Sequence, residues 1–518
     1  MAAKAKTITP SSVELFLHRY KAAKTRWTEV AAVFDELYEF CLPLRERPFG
    51  AKTPSARRTD RLFDSTAPVA LADFASQRVE DVWPTDQKPI DLLPGRDVPE
   101  DQKDEVRKAL AEVTAFMIDE VNNSNFREAA VEASLDYGVA TGVMLIDEGD
   151  SLDPLRHRAL PLTDAVLGLG PYGEHDALYR ARKVKAYEIP VLWPDAKLSA
   201  KTRAKYQSNE NPDQEVELIE GYYRDWTRPK EEVWIYCCVD EAEGEEIARS
   251  EASGIGSKPF VSFSFMRVPN ETYGRGPAQL ALPDVRSLNV LQELLLEHLD
   301  MAVGGLWSYE SDGSMNVDSI NIQAGTVIPK MHGRAGLESI EVGGNPQFGA
   351  VERDRLQQAV ERVFFKLDLG PTDKTPKSAT EILQRVADRA GRLSGPNSRL
   401  VKEFLFPYVR RVLYILRKKG LVKLPKLDRG LLSIRPLAPI TRAQAQDDIL
   451  RHVRFAEFIN AIVGPQVANL VLKGAELALY LAERMGVEPK VIRNALERKQ
   501  LAEVMAQLAA TAATQEAA

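Results

Sequence analysis

At 518 residues the chain is longer than one hydrophobic core supports, so more than one folded domain is expected. Hydrophobic residues make up 44% and charged residues 28%, an ordinary globular balance that excludes wholesale disorder. The formal net charge of -7 excludes a broadly basic surface, so a nucleic-acid partner would have to be met locally rather than through bulk charge.

Residues 9 to 42 read as an opening helix. Thr9-Pro10-Ser11-Ser12 supplies capping chemistry, and Val13, Phe16, Tyr20, Trp27, Val30, Val33, Phe34 and Leu37 keep helical spacing. A Pro- and Arg-rich link runs to about Thr59. Helices are then expected at 66 to 84, 98 to 123 and 124 to 140. From there the pattern turns to strands: Gly142 to Asp147, Ala165 to Leu169 paired with Ala177 to Val184, and Val216 to Trp226 paired with Val233 to Val239. A mixed α+β domain covers residues 1 to about 270.

Pro259 onward is a strand-like run, and a Gly- and Pro-punctuated turn from Pro269 to Pro277 leads into a long apolar helix that stops at Gly304-Gly305. From Asp284 to Val303 this helix carries Val285, Leu288, Leu291, Leu294, Leu295 and Leu299, too broad an apolar face for a lone surface element. Residues 304 to 348 hold eight glycines and three short β-prone runs, which marks a small separate module. A second long helix is expected from Phe348 to Leu369, ending at Gly370-Pro371. Ser378-Ala379-Thr380-Glu381 is a capping box that opens a third, broken or kinked at Gly395-Pro396 before Leu400 to Leu416. After a linker from Gly420 to Pro439, Arg442 to Gln507 reads as helical.

The chemistry-bearing patterns have plain structural readings. Gly168-Leu169-Gly170-Pro171-Tyr172-Gly173 matches the dinucleotide-binding glycine pattern, but that chemistry needs a helix after the glycines, and Ala177 to Val184 alternates like a strand. A hairpin turn is expected there. The six histidines, His18, His157, His175, His298, His332 and His452, lie far apart and read as surface or packing residues. Cys41 and the neighbours Cys237 and Cys238 are the only cysteines, which points to a reducing compartment. The Glu-rich stretch Glu241 to Glu246 reads as a solvated hairpin tip. No run reaches about 18 apolar residues, so neither secretion nor membrane spanning is expected.

Charge divides along the helices. Residues 271 to 303 carry five acids and two bases, residues 349 to 369 balance at four and four, and residues 379 to 419 carry three acids and ten bases. That last stretch is either a solvated face or a basic belt toward neighbouring subunits or DNA.

The turn Asn270-Glu271-Thr272-Tyr273-Gly274-Arg275-Gly276, followed by Asp284-Val285-Arg286-Ser287-Leu288-Asn289, resembles the entry to the first stem helix of portal proteins, the head-to-tail connectors of short-tailed, podovirus-type bacteriophages. Asn122 to Arg127, Tyr137 to Leu145 and Tyr480 to Val487 echo the same family. The resemblance implies an α+β, mainly helical fold of wing (1 to 270), first stem helix (271 to 303), clip (304 to 348), second stem helix (349 to 369), tunnel loop (370 to 378), kinked wing helix with linker (379 to 440) and helical crown (441 to 518). It further implies a ring of twelve copies around a DNA channel at one head vertex of the virion, assembled in the host cytoplasm. Double-stranded DNA, a separate terminase motor, a tail adaptor, and the major capsid and scaffolding proteins are the implied partners, with no membrane. The DNA-facing tunnel loop would be Gly370, Pro371, Thr372, Asp373, Lys374, Thr375, Pro376 and Lys377. No catalytic residue, cofactor or metal is expected. The alternatives are another phage structural adaptor, or a nucleotide-binding enzyme built on the glycine pattern.

Overall fold

The computed structural model describes residues 12–50, 59–85, 87–95, 98–99, 103–196, 198, 200, 203–204, 213–304, 306–308, 338–340, 346–366, 391–423, 432–437, 451–459, 461–462 and 474–485. The chain divides into two compact units. Unit 1 comprises Met1–Phe34, Ala72–Pro277 and Leu367–Ala518, and unit 2 comprises Asp35–Leu71 and Ala278–Lys366.

Helix α1 (Ser12–Cys41), of which residues 12–34 belong to unit 1, buries Phe16, Tyr20, Ala23, Trp27, Ala31 and Phe34, one stripe at helical spacing, while Val33 of the expected series is exposed. The Trp27 indole donates to the Leu162 carbonyl at 2.7 Å. Helix α2 (Thr66–Val82), strand β1 (Ile90–Pro94) and helices α3 (Lys103–Asn123) and α4 (Phe126–Val139) follow. Strands β2 (Thr141–Glu148), β3 (Leu155–Ala159), β4 (Val166–Leu169) and β5 (His175–Lys185) come next, then a short helix, α5 (Ile189–Leu192). Strands β6 (Glu215–Arg224), β7 (Val233–Asp240), β8 (Glu246–Ser253) and β9 (Phe260–Ser264) complete the run.

These strands form two antiparallel sheets, one ordered β4-β5-β6-β7-β8 and one ordered β3-β2-β9. The five-stranded sheet takes α1 on one face, where Phe16 and Tyr20 meet Tyr179 edge-on at 5.4 and 5.9 Å between ring centroids. Under α5 a satellite cluster gathers Val184, Ile189, Val216, Leu218, Cys238 and Ile247. The three-stranded sheet takes α4 and the helical segment Ser394–Lys418. There Phe126, Phe263, Phe404 and Tyr408 form an aromatic hub, with Phe126 to Tyr408 at 4.7 Å and Phe263 to Phe404 at 4.8 Å. The Tyr408 hydroxyl lies 3.0 Å from Nε2 of buried His157.

The glycine pattern is a hairpin. Gly168 and Leu169 belong to β4, the Gly170 amide donates to the Glu174 carbonyl, and the chain after Gly173 is strand β5, so the helix a nucleotide site requires is missing. Burial pushes the thiols of Cys41, Cys237 and Cys238 up to about 12, which removes them from thiolate chemistry at neutral pH.

Both expected strand pairings form, and among the described residues of unit 1 four further strands appear. β1 lies where only a loop between helices was expected, and its partner β12 (Leu432–Pro436) lies in the expected linker. β3 alternates inward Leu155 and His157 with outward arginines, so its one polar inward residue hides the pattern. β8 is a polar edge strand. The helix expected from residue 98 starts at Lys103.

At the C-terminal side the helix breaks as expected: Gly391 and Arg392 are helical, Leu393 is a turn, and Gly395-Pro396 lies in the first turn of the next helix. Pro396 sits in the first turn of α8 (Ser394–Leu400), where a missing N–H costs nothing. A second irregularity comes after it, as one π-helical turn, Val401–Leu405, before α9 (Phe406–Lys418). The Phe406 amide reaches back five residues to the Val401 carbonyl, just ahead of Pro407, which has no N–H to offer. Residues 451–459 and α10 (Gly474–Met485) are helical, as expected for that region.

In unit 2, α6 (Pro277–Gly304) starts seven residues before Asp284 and passes through Pro283. α7 (Pro346–Val363) ends earlier than the expected Leu369, in a turn where Phe365 takes a φ of 58°. Strands β10 (Leu306–Ser308) and β11 (Glu338–Ile340) pair antiparallel.

Candidate intersubunit surface

The turn that leads into α6 is fixed by unit 1. Asn270 takes a φ of 68°, a left-handed geometry that asparagine tolerates better than most residues. Met266 and Arg275 then exchange backbone hydrogen bonds of 3.1 and 2.8 Å. Buried Tyr273 uses its hydroxyl twice, accepting from the Leu167 amide and donating to the Ala165 carbonyl, both at 3.0 Å. The Gly274 amide donates to the Thr141 hydroxyl at 2.8 Å. Gly276 donates to the Val139 carbonyl, and a Cβ there would stand 2.0 Å from the Gly138 oxygen, so only glycine fits. The residues quoted for the family resemblance are thus the ones that lock this entry.

Within unit 2, α6 changes character along its length. Val285, Leu288 and Asn289 are buried, and Asn289 bonds both ways to the 59–64 segment, accepting from the Phe63 amide and donating to the Arg61 carbonyl at 2.8 Å each. Arg286 forms a two-pronged ion pair with Glu36. From residue 290 onward the helix is mostly exposed, yet its side chains stay apolar: Val290, Leu294, Leu296, Leu299, Met301 and Val303 are all more than 40% exposed.

At about 100° per residue, that second half divides into four sides. Half-buried Leu291, Leu295 and His298 form the side facing α7, where Gly349 lets the helices close: a Cβ on it would fall 2.7 Å from Leu295 Cδ2. Glu293, Glu297 and Asp300 line the opposite side. Between them run two exposed apolar flanks, Val290 with Leu294 and Met301 on one, and Leu296 with Leu299 and Val303 on the other. α7 adds exposed Phe348 and Val351. Isolated exposed leucines need no explanation, but two continuous flanks on one helix leave apolar surface that a partner on each side would cover.

The expected apolar face included Leu291, Leu294, Leu295 and Leu299, and the structure places these on three different sides. The acidic side is visible in sequence as the i, i+4, i+7 series Glu293, Glu297 and Asp300. Gly370, Pro371, Thr372, Asp373, Lys374, Thr375, Pro376 and Lys377 lie outside the described residues, as does most of 304 to 348. Among the described residues no cluster of His, Cys, Asp or Glu has the makings of a metal site, and no helix is long and apolar enough to cross a membrane.

The sequence profile of the bacteriophage head to tail connecting protein family matches residues 14–492. The chain belongs to that family. No curated protein matches this connector. Among solved structures it is similar to a chain of the virion of a native gene transfer agent particle, at 10% identity and a TM-score of 0.36, covering 78% of the connector and 91% of that chain. It is also similar to a chain from the neck of an empty gene transfer agent particle, at 12% identity and a TM-score of 0.39, covering 80% of the connector and 94% of that chain.

Proposed function

We propose that this connector is a portal: copies form a closed ring, twelve in number, around a channel at one vertex of the phage head. α6 and α7 are its stem helices and 304 to 348 its clip. Residues 370 to 378 are the loop closest to the DNA, and unit 1 supplies the wing. Double-stranded DNA enters through the channel under the drive of a separate terminase motor and later leaves through it toward a tail adaptor. The major capsid and scaffolding proteins surround the ring in the virion. The connector itself carries structure and passage, with no chemistry of its own.

One observation supports this reading most directly, the division of α6 into two apolar flanks and an acidic side. A stave in a ring touches a neighbour on each side and so needs two apolar flanks, whereas a dimer needs one. The side facing away from α7 carries Glu293, Glu297 and Asp300, and a negative wall repels the phosphate backbone instead of holding it. DNA that must move is best left unbound.

The test is to charge one residue on each flank, Leu294→Glu and Leu299→Glu, in the purified full chain. Both are exposed in the isolated chain, so folding should be kept and helical circular dichroism unchanged. Each loses about 1.5–3 kcal/mol of apolar burial per interface, and the double variant is expected to run as a monomer where the native chain shows open-centred rings in negative stain. Rings from the double variant, or a native chain that stays monomeric at every concentration, would overturn the reading.

A further inference from the structure

The basic segment that ends at Lys419 is only partly used inside unit 1. Arg399 pairs with Glu403 at 3.9 Å, and Arg411 donates to the Ile146 and Ser257 carbonyls. Lys418 reaches Glu148 at 2.7 Å, and Lys419 bonds the Gly149 and Asp150 carbonyls. Arg410 and Arg417 are different: both are exposed, and neither has an ion pair or side-chain hydrogen bond among the described residues.

These two arginines stand seven residues apart on α9, about two turns, with Phe406, Leu413 and Tyr414 on the same side. Together they line one wall of a cavity of about 990 Å³. Arg224 lines it too, stacked 4.1 Å over the Trp226 ring, and its Nε is buried with no hydrogen-bond partner. Glu174, Glu231 and Glu232 share the walls, and Glu232 is already engaged by the Trp234 indole and the Gly256 amide. DNA presents a charge every ~3.4 Å along each strand, and such a ligand would be pressed against those carboxylates. A compact loop bearing a few separate carboxylates can meet the arginines and avoid them.

The chain carries such a loop at the other end of the same strand. β8 reaches the cavity at Ser253, while its first residue, Glu246, follows the β7–β8 tip, where Glu241, Glu243 and Glu245 are exposed. Seven strand steps separate the two ends by about 23 Å. Features of opposite sign at opposite ends of one strand cannot satisfy each other within a copy, but they join successive copies head to tail.

We propose that the acidic β7–β8 tip of one copy docks in the arginine-lined cavity of the next. The inference rests on the ring reading and adds to it a charged contact made by unit 1. Arg410→Glu with Arg417→Glu reverses the cavity, and Glu241→Arg with Glu243→Arg and Glu245→Arg reverses the tip. All five residues are exposed, so melting temperatures should stay near native. In sedimentation at low salt each reversed set is expected to weaken assembly by about tenfold or more, and high salt should shrink that difference. Mixing the two reversed chains should restore contact between them, because each then offers what the other lacks. Native-strength assembly by the cavity-reversed chain, or no recovery on mixing, overturns the docking while leaving the ring reading intact. A native chain that never assembles overturns both. Short duplex DNA that binds the native chain, and is released by the cavity reversal without any effect on assembly, would assign the cavity to nucleic acid instead.

Discussion

Two buried histidines of unit 1 are held neutral by their surroundings. His175 lies 2.8 Å from both the Ser262 hydroxyl and the Thr272 carbonyl. Burial, with help from Arg267 and Lys258, lowers its pKa to about 3, and burial lowers that of His157 to about 4. The unfolded chain binds these protons near pH 6.5, so between that value and the folded ones it holds more protons than the native state. Stability is therefore full above about pH 6.5 and falls as the pH drops through that window, by up to about 1.4 kcal/mol per pH unit for each histidine. The urea midpoint should move down on acidification, and His157→Gln should flatten its slope. An unchanged slope would mean that His157 is already charged in the fold. Gly276 makes a sharper demand, because its missing Cβ is replaced by a backbone oxygen that has no room to retreat. Gly276→Ala is expected to cost the upper part of the roughly 1–3 kcal/mol typical of overpacking, read as a fall in melting temperature.

α6 behaves as two half-helices. Residues 278–289 carry the burial and the Asn289 and Arg286 contacts, whereas 290–303 rely on α7 and on whatever covers the flanks. Local stability follows buried contacts. Amide exchange in the monomeric Leu294→Glu, Leu299→Glu variant should be slow in the first half and fast in the second, and assembly of the native chain should slow the second half alone. Equal protection in both halves of the monomer would show that α7 suffices. The same contrast explains what could be read from sequence. α1, α2, α4 and the β4–β5 and β6–β7 hairpins were legible because their signals are local: a helical stripe, a capping residue, two alternating runs around a turn. β1 and β12 were not, because neither short run has a periodicity of its own and each is a strand only through the other. On α6 the apolar content was legible, but which side meets α7, and so which sides are left as flanks, required knowing that Leu295 faces Gly349. The cavity was hidden for the same reason, since which arginines of the basic segment are spent depends on Glu148, Ile146 and Ser257, far away in sequence.

For the whole molecule, the net charge of -7 and the acidic side of α6 both argue against a protein that grips DNA. On the proposed portal reading, Lys374 and Lys377 would then be weak, replaceable phosphate contacts. Replacing both by Ala should leave ring assembly unchanged and alter DNA packaging or retention. Failure of rings to form would place this segment in an interface between copies instead.

The pairing of β1 with β12 joins Ile90 to Pro436. Arg78 likewise reaches Asn397 across 319 residues, bonding at 3.0 Å in a buried site. A ribosome working at about 5–20 residues per second needs roughly 20–70 s to make the stretch between β1 and β12. Throughout that time β1 waits without its partner strand, while the whole of α6 and α7 is being synthesised. Translation thus delivers α6 and α7 first and the pieces that close unit 1 last. A chain cut short before residue 432 would carry exposed apolar flanks on an unfinished body, and would be marked for removal by its own open sheet edge before it could join a particle.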